Sequence, residues 1–121
     1  MMSGIFRDHL PRITLELPSR DRTIPVEFVL DTGFDGDLTL PSRLVRLLQT
    51  APLFTSLHSL ADGSIGDFPV HELVLEWNGT DRPVEVLVLE GNLLLGTLLL
   101  DGYQVHLDMV EGGEVVVDLP D

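Results

Sequence analysis

Short stretches in which apolar and polar side chains alternate, separated by turn residues, constrain the fold of this chain most strongly. Residues 12–17 alternate as a half-buried strand requires, and residues 24–30 form a second strand pattern after a turn at 18–22. Asp62-Gly63 and Asn78-Gly79 stand between strand patterns, where such pairs predict hairpin turns. Further strand patterns cover residues 53–60, 65–77, 84–89, 103–108 and 115–119.

Helical patterns are few and short. Residues 41–49 begin with a proline, which suits a first helical turn, and place Leu44, Leu47 and Leu48 on one face. The leucine-rich residues 93–100 are expected in the core. Together these patterns predict an all-β fold, closed or sandwich-like, with one or two short helices. No linker divides residues 1–121, so we expect a single domain.

The charge of the chain limits its partners. Twenty acidic residues against seven basic ones give a net charge of −13, which disfavours nucleic acid and anionic membranes. Such a charge favours cationic partners, for example basic peptide segments, although solubility alone also accounts for it. The chain has no cysteine, which fits a reducing compartment. Its charged N-terminal residues do not resemble a signal peptide, and residues 93–100 are too short to span a bilayer, so we expect a cytoplasmic protein.

One internal similarity links two strand patterns. Residues 25–30, Pro-Val-Glu-Phe-Val-Leu, resemble residues 83–88, Pro-Val-Glu-Val-Leu-Val, and each leads to a glycine and a leucine-rich stretch. The similarity indicates either a duplicated strand-turn-helix unit or a coincidence among β-rich segments.

An apolar strand pattern ends abruptly in Asp31-Thr32-Gly33. A carboxylate in this position is costly to bury unless it is hydrogen-bonded, and glycine lets a ligand approach closely. Two carboxyl groups that share one proton can activate a water for attack on a carbonyl group. Because the chain has one such triplet, the second acid has to come from a second copy across a two-fold axis.

These residues resemble the retropepsin-type aspartic peptidases, and most closely their single-domain members from bacteria and archaea. The first anchor of the resemblance is residues 29–33, Val-Leu-Asp-Thr-Gly, followed by residues 38–40, Leu-Thr-Leu. The second anchor is residues 94–96, Leu-Leu-Gly, followed by two further leucines at 98–99. A predicted hairpin lies about halfway between the anchors, where the family carries its flap. The resemblance extends over residues 12–107.

The resemblance implies a fold, an activity and a catalytic triplet. The fold is a small closed β-barrel with two crossing loops, and the activity is that of an aspartic endopeptidase. It acts as a homodimer on extended peptide substrates, without a metal or another cofactor. Asp31 is then the catalytic acid, Thr32 braces the two loops across the dimer axis, and Gly33 offers its carbonyl group to the substrate.

The resemblance also implies roles around the triplet. Asp35 matches an acid that contacts the substrate main chain, and Leu95 and Gly96 lie beneath the catalytic loop. The flap tip closes over the peptide and excludes water. Its residues are Ala61, Asp62, Gly63 and Ser64.

Two residues differ from those of the retroviral enzymes, and a further comparison concerns the strands at the chain ends. Thr97 stands where those enzymes have an arginine, which pairs with the acid that Asp35 matches. Phe34 replaces a small residue. Strands at both chain ends hold the retroviral dimers together, and residues 115–119 are the candidate for such a strand here.

Other interpretations stay open. The chain can be a catalytically weak or inactive module of the same fold that binds peptides or dimerises, or an unrelated β-domain with a chance triplet. Asp35 and Asp37 can be solvated turn residues, and Asp62-Gly63 can be an ordinary hairpin turn. The histidines lack the spacing of metal ligands and are expected to be structural or exposed. They are His9, His58, His71 and His106.

Overall fold

Ten β-strands and two short helices make up the described part of the computed structural model, which comprises residues 1–60, 62–91 and 93–121. In chain order they are β1 (Met2–Arg7), β2 (Leu10–Ser19), β3 (Arg22–Leu30), β4 (Leu38–Leu40), α1 (Ser42–Leu48), β5 (Ala51–Ser59), β6 (Ile65–Trp77), β7 (Thr80–Val88), β8 (Leu94–Leu95), α2 (Thr97–Leu100), β9 (Gln104–Leu107) and β10 (Glu114–Asp118).

The alternation of side chains explains the long β2–β3 hairpin. Ile13, Leu15 and Leu17 are buried, and the residues between them are exposed. In the antiparallel pairing Ile13 lies opposite Phe28, and Leu15 lies opposite Val26. One face of the hairpin therefore belongs to the core, as the sequence pattern predicts.

All ten strands belong to one sheet, in the order β5-β6-β7-β4-β8-β3-β2-β1-β10-β9. The sheet bends back so that β2 packs against β6, and both contribute side chains to one core. The all-β prediction is confirmed, but the closed barrel is wrong, since the edge strands β5 and β9 do not pair in the described residues. Side-chain alternation specifies which face is buried and does not specify whether two edges join, so a bent open sheet satisfies the same pattern.

The two similar strand patterns occupy related places in this sheet. β3 is parallel to β8 through Val29–Leu94 and Leu30–Leu95, and β7 is parallel to β4 through Val86–Leu38. Each of the two similar strands thus pairs with the short strand that follows the other, and the two short strands pair antiparallel with each other. This arrangement favours a duplicated unit over a coincidence.

The N-terminal strand β1 has no counterpart in the sequence prediction. It pairs antiparallel with both β2 and β10, and β10 also pairs with β9. The C-terminal strand therefore has a neighbour on each side within its own chain. The expectation that residues 115–119 supply a strand to a dimer is wrong, because no free edge is left there.

A distant glutamate supports the predicted helix. α1 has no side-chain cap of its own at Pro41, and the Glu90 carboxylate accepts hydrogen bonds from the Ser42 backbone N–H (3.0 Å) and Oγ (2.6 Å). These bonds lower the pKa of Glu90 below its usual value. Val45 and Leu48 face the core. In the described residues, neither helix has the length and apolar character that a membrane crossing requires.

An ion pair connects β1 to β3 across β2, and it predicts how stability depends on pH. Arg7 Nη1 donates to Glu27 Oε2 at 3.2 Å, and Arg12 Nη1 lies 3.4 Å from Glu27 Oε1. The hydrogen bonds from Arg7, with the nearby positive charge, lower the pKa of Glu27 below the ordinary value of 4.5. The stabilisation is therefore present above the ordinary pKa and is lost as the pH falls through the lowered one.

We expect Glu27→Gln to lower the melting temperature at neutral pH and to have a smaller effect at about pH 3, because the ion pair weakens as the parent glutamate gains a proton below its ordinary pKa. Thermal unfolding followed by circular dichroism at both pH values measures this. Glu76→Gln, at an exposed position on β6, is the matched control and should be nearly neutral at both. An equal loss at both pH values in the Glu27 variant would contradict the assignment.

Candidate functional site

Asp31 follows directly after β3, at the point where β3 and β8 run side by side. Its backbone N–H donates to Leu95 O at 2.9 Å, which extends the parallel pairing by one residue. The residue is half-buried, while Thr32 and Gly33 are exposed. Because β3 and β8 pair up to this point, the triplet lies at the surface, directly after the end of two buried strands.

A local turn orients the Asp31 carboxylate. Its Oδ1 accepts a hydrogen bond from the Gly33 backbone N–H at 2.8 Å, and Asp31 O accepts one from the Phe34 N–H at 3.2 Å. A Cβ atom added at Gly33 would lie 3.2 Å from the same Oδ1. Glycine at this position leaves the carboxylate free of a crowding side chain.

We call residues 31–37, which begin with this triplet, the Asp31 loop. Backbone N–H groups at the start of α2 donate hydrogen bonds to carbonyl oxygens of this loop. Gly96 N–H donates to Asp37 O (2.9 Å), and Leu98 N–H donates to Gly36 O (3.2 Å). Thr97 donates twice to Phe34 O, from its backbone N–H at 2.8 Å and from Oγ1 at 3.2 Å. These bonds give the loop fixed backbone partners that lie some sixty residues away in the sequence.

Gly96 allows this close contact. A Cβ atom there would lie 2.2 Å from Gly36 O and 2.6 Å from Phe34 O, which are backbone atoms that cannot move aside cheaply. The Phe34 ring packs over both glycines, because an added Cβ at Gly36 or at Gly96 would lie 2.6 Å from a ring atom. The large side chain at position 34 is therefore accommodated by glycines at 36 and 96.

Asp37 is a structural part of the loop. It is only 6% exposed, and its Oδ2 accepts a hydrogen bond from the Glu85 backbone N–H at 2.9 Å. The parallel β4–β7 pairing starts one residue later, at Leu38 and Val86, so the side chain takes the place of a backbone acceptor. The interpretation of Asp37 as a solvated turn residue is wrong, whereas Asp35 is exposed.

A cavity of about 210 Å³ lies between the Asp31 loop and the β5–β6 hairpin, and we call it the loop–hairpin cavity. Its loop side is formed by residues 34–38 and Leu98. Its opposite side is formed by side chains of β5, β6 and β7, namely Phe54, Ser56, His58, Val70, Glu85 and Leu87. Of the predicted site residues, Asp35 lies at this cavity, and Asp31 precedes it in the same loop.

The predicted flap tip forms a tight hairpin turn. Asp62 Oδ1 accepts hydrogen bonds from Ser64 N–H (2.9 Å) and Oγ (2.6 Å), which lower the pKa of Asp62, and Gly63 has a φ of +86°. The hairpin is as predicted, but residues 62–64 do not line the loop–hairpin cavity, which is bounded on the hairpin side by Phe54, Ser56 and His58 of β5 and Val70 of β6. Ala61, predicted at the same tip, lies outside the described residues.

A group of possible metal ligands lies elsewhere, on the β9–β10 hairpin. Within the part of the chain that the structure describes, His106, Asp108 and Glu114 are the one group whose ligand atoms lie within 4.8 Å of one another. All are exposed, and His106 Nε2 is 3.0 Å from Asp108 Oδ1. Spacing along the sequence did not reveal this group because the third residue comes from the neighbouring strand.

Comparison with protein-family models, curated proteins and solved structures gives no match for this chain. Sequence reasoning missed the contribution of β5 and β7 to the cavity. Period-two alternation does place Phe54, Ser56 and His58 on one face of β5, but only the folded sheet brings Glu85 beside the Asp31 loop.

We expect Gly96→Ala to destabilise the fold by about 1–3 kcal/mol or more, because the added methyl group overlaps two backbone carbonyl oxygens. Urea unfolding measures the change. Gly66→Ala on β6 is the control: its added Cβ meets only the Phe68 ring, at 3.2 Å, so the effect should be small. Equal stability of the two variants would show that the loop does not depend on this contact.

Proposed function

We propose that this chain is an aspartic endopeptidase of the retropepsin type that acts as a homodimer. The observation that carries the proposal is the placement of Asp31. The carboxylate stands at the end of a buried strand, its Oδ1 is fixed by the Gly33 N–H, and the loop around it is held by the backbone of residues 95–98. Reacting groups that are held in one geometry before the substrate arrives lower the barrier most.

The chemistry requires two copies of the chain. With one Asp31 from each copy beside the two-fold axis, the pair of carboxyl groups shares one proton. The ionised carboxylate takes a proton from a water molecule, whose oxygen attacks the scissile carbonyl carbon. The protonated partner donates its proton to the carbonyl oxygen. The tetrahedral intermediate then breaks its C–N bond: the carboxyl group that took the proton from water gives it to the leaving nitrogen, and the other carboxylate takes a proton from a hydroxyl group of the intermediate.

An extended peptide is the substrate class that fits the surroundings. β5 is an edge strand of the sheet, and side chains of the same strand line the loop–hairpin cavity. An extended peptide can pair with such an edge while its side chains enter pockets on one face. Asp35 is exposed at the cavity and is proposed to contact the peptide main chain. The absence of cysteine supports a reducing compartment such as the cytoplasm as the place of action.

A second candidate function is a peptide-binding or dimerisation module without catalysis. The observation that favours it is Thr97. This residue donates both of its hydrogen bonds to Phe34 O and brings no positive charge, so Asp35 has no ion-pair partner among the described residues. In the retroviral enzymes, which the chain resembles, an arginine at this position provides that pairing.

We expect Asp31→Asn to abolish peptide cleavage and to retain peptide binding, because the amide cannot act as the base but has nearly the same shape. Cleavage is followed by mass spectrometry of a mixed peptide pool between pH 3 and 7. Asp21→Asn, the same change in the exposed β2–β3 turn, is the control and should cleave as the parent does. Absence of cleavage by the parent protein over this range, with binding intact, would favour the module.

The charge of the chain predicts how the dimer responds to salt. Two copies that each carry −13 repel one another, so we expect the dissociation constant to fall as salt is raised from about 20 to about 500 mM at neutral pH. Mildly acidic pH should have the same effect, because carboxylates become protonated. Sedimentation velocity measures both. Dimerisation that is insensitive to both conditions would contradict an interface under this repulsion.

A further inference from the structure

We propose that the loop–hairpin cavity is a subsite for a cationic side chain, lysine or arginine, of an extended peptide. The inference rests on the proposed function in so far as that function makes a peptide the ligand of this site. It adds which peptide is bound.

Three acidic side chains that form no salt bridge in the described residues line the cavity. Asp35, Asp37 and Glu85 all line it. The salt bridges of the described residues involve none of these three. His58 is the one lining residue that can carry a positive charge. The cavity therefore gathers three carboxyl groups that form no salt bridge in the described residues, and the Arg82 guanidinium beside it donates to Leu98 O at 3.4 Å rather than to an acid.

The Asp37 carboxyl group is the strongest of these observations. Asp37 is only 6% exposed. Its Oδ2 accepts a hydrogen bond from the Glu85 N–H, but its Oδ1 has no hydrogen-bond partner among the described residues. A buried carboxyl oxygen without a donor is unfavourable. An ammonium or guanidinium group in the cavity would bring a compensating positive charge close to this buried carboxyl group.

The pairing of β6 with β7 places another glutamate, Glu72, next to Glu85 on the same face of the sheet. Glu85 on β7 lies directly opposite Glu72 on β6, and both side chains are exposed. Like charges opposite each other on neighbouring strands destabilise a sheet. A cation bound beside Glu85 would relieve this repulsion, so a ligand of positive charge gains from a feature that is unfavourable in the free chain.

The apolar lining fits the hydrocarbon part of the same side chains. Leu38, Val70, Leu87 and Leu98 line the cavity together with the acids. Lysine and arginine bury their methylene stems against apolar surfaces and keep the charged end near polar groups. A bare metal ion fits less well, because the acids of the cavity do not bring three ligand atoms within 4.8 Å of one another, as the described residues of the β9–β10 hairpin do.

Binding to the Asp31→Asn protein tests the subsite without cleavage of the peptide. A set of otherwise identical peptides carries lysine, norleucine or glutamate at one position, and that position is moved along the peptide. Norleucine keeps the methylene stem of lysine and removes the charge. We expect lysine to bind about tenfold more tightly than norleucine at one position, and glutamate to bind most weakly. Fluorescence anisotropy of labelled peptides provides the affinities.

Second-site variants assign the preference to the cavity. In the Asp31→Asn background, Glu85→Gln and Asp35→Asn should each reduce the ratio of lysine to norleucine affinity, and Glu85→Lys should favour the glutamate peptide. Glu76→Gln removes the same charge from an exposed position on β6 outside this cavity and should keep the ratio. Circular dichroism confirms that each variant is folded. A merely structural effect would weaken all peptides alike and leave the ratios unchanged.

The outcomes separate this inference from the proposed function. Equal affinity for lysine and norleucine at every position, a preference that survives the Glu85 and Asp35 changes, or no binding of any peptide would overturn the subsite. Cleavage by the parent protein without a lysine preference would leave the peptidase standing and remove the subsite. Lysine-selective binding in a protein that cleaves nothing would leave the subsite standing and remove the peptidase.

Discussion

The contact between the Asp31 loop and the backbone at Gly96 is the constraint on which the rest of the site depends. The loop lies between strands that are far apart in sequence, and the β8–α2 junction donates hydrogen bonds to the carbonyl oxygens of Phe34, Gly36 and Asp37. Any side chain at position 96 would overlap the first two of those oxygens. Because the same junction continues the β3–β8 pairing, one glycine couples the end of the core to the position of the Asp31 carboxylate.

Much of the fold follows from local patterns, whereas the parts that were missed depend on distant contacts. The strands of the β2–β3 hairpin, the Asn78-Gly79 turn and the short helix were predicted because alternation and turn chemistry act within a few residues. Strand β1 was missed, and its place between β2 and β10 is decided by partners from both ends of the chain. The open edges of the sheet could not be predicted either, because side-chain alternation does not indicate which strands pair.

The site shows the same division. The apolar strand pattern drew attention to the Asp31 triplet, and the resemblance to the retropepsin-type peptidases predicted Gly96 beneath it. They left Asp37 open to a solvated role, and its burial follows from a hydrogen bond to a backbone N–H 48 residues away. They also gave no sign that Glu85 faces the same cavity. The high acidity of the chain is by itself explained by solubility. The structure adds that three of the acidic side chains, Asp35, Asp37 and Glu85, line one cavity.

The central claim, that each working site combines Asp31 side chains from two chains, is tested most directly by mixing the parent protein with the Asp31→Asn variant at constant total concentration. If subunits exchange freely, mixed dimers have one carboxyl group and are inactive. Activity should then fall as the square of the parent fraction, to about a quarter in an equal mixture. Activity that falls in direct proportion, to about half, would mean that each chain carries a complete site and would contradict the account.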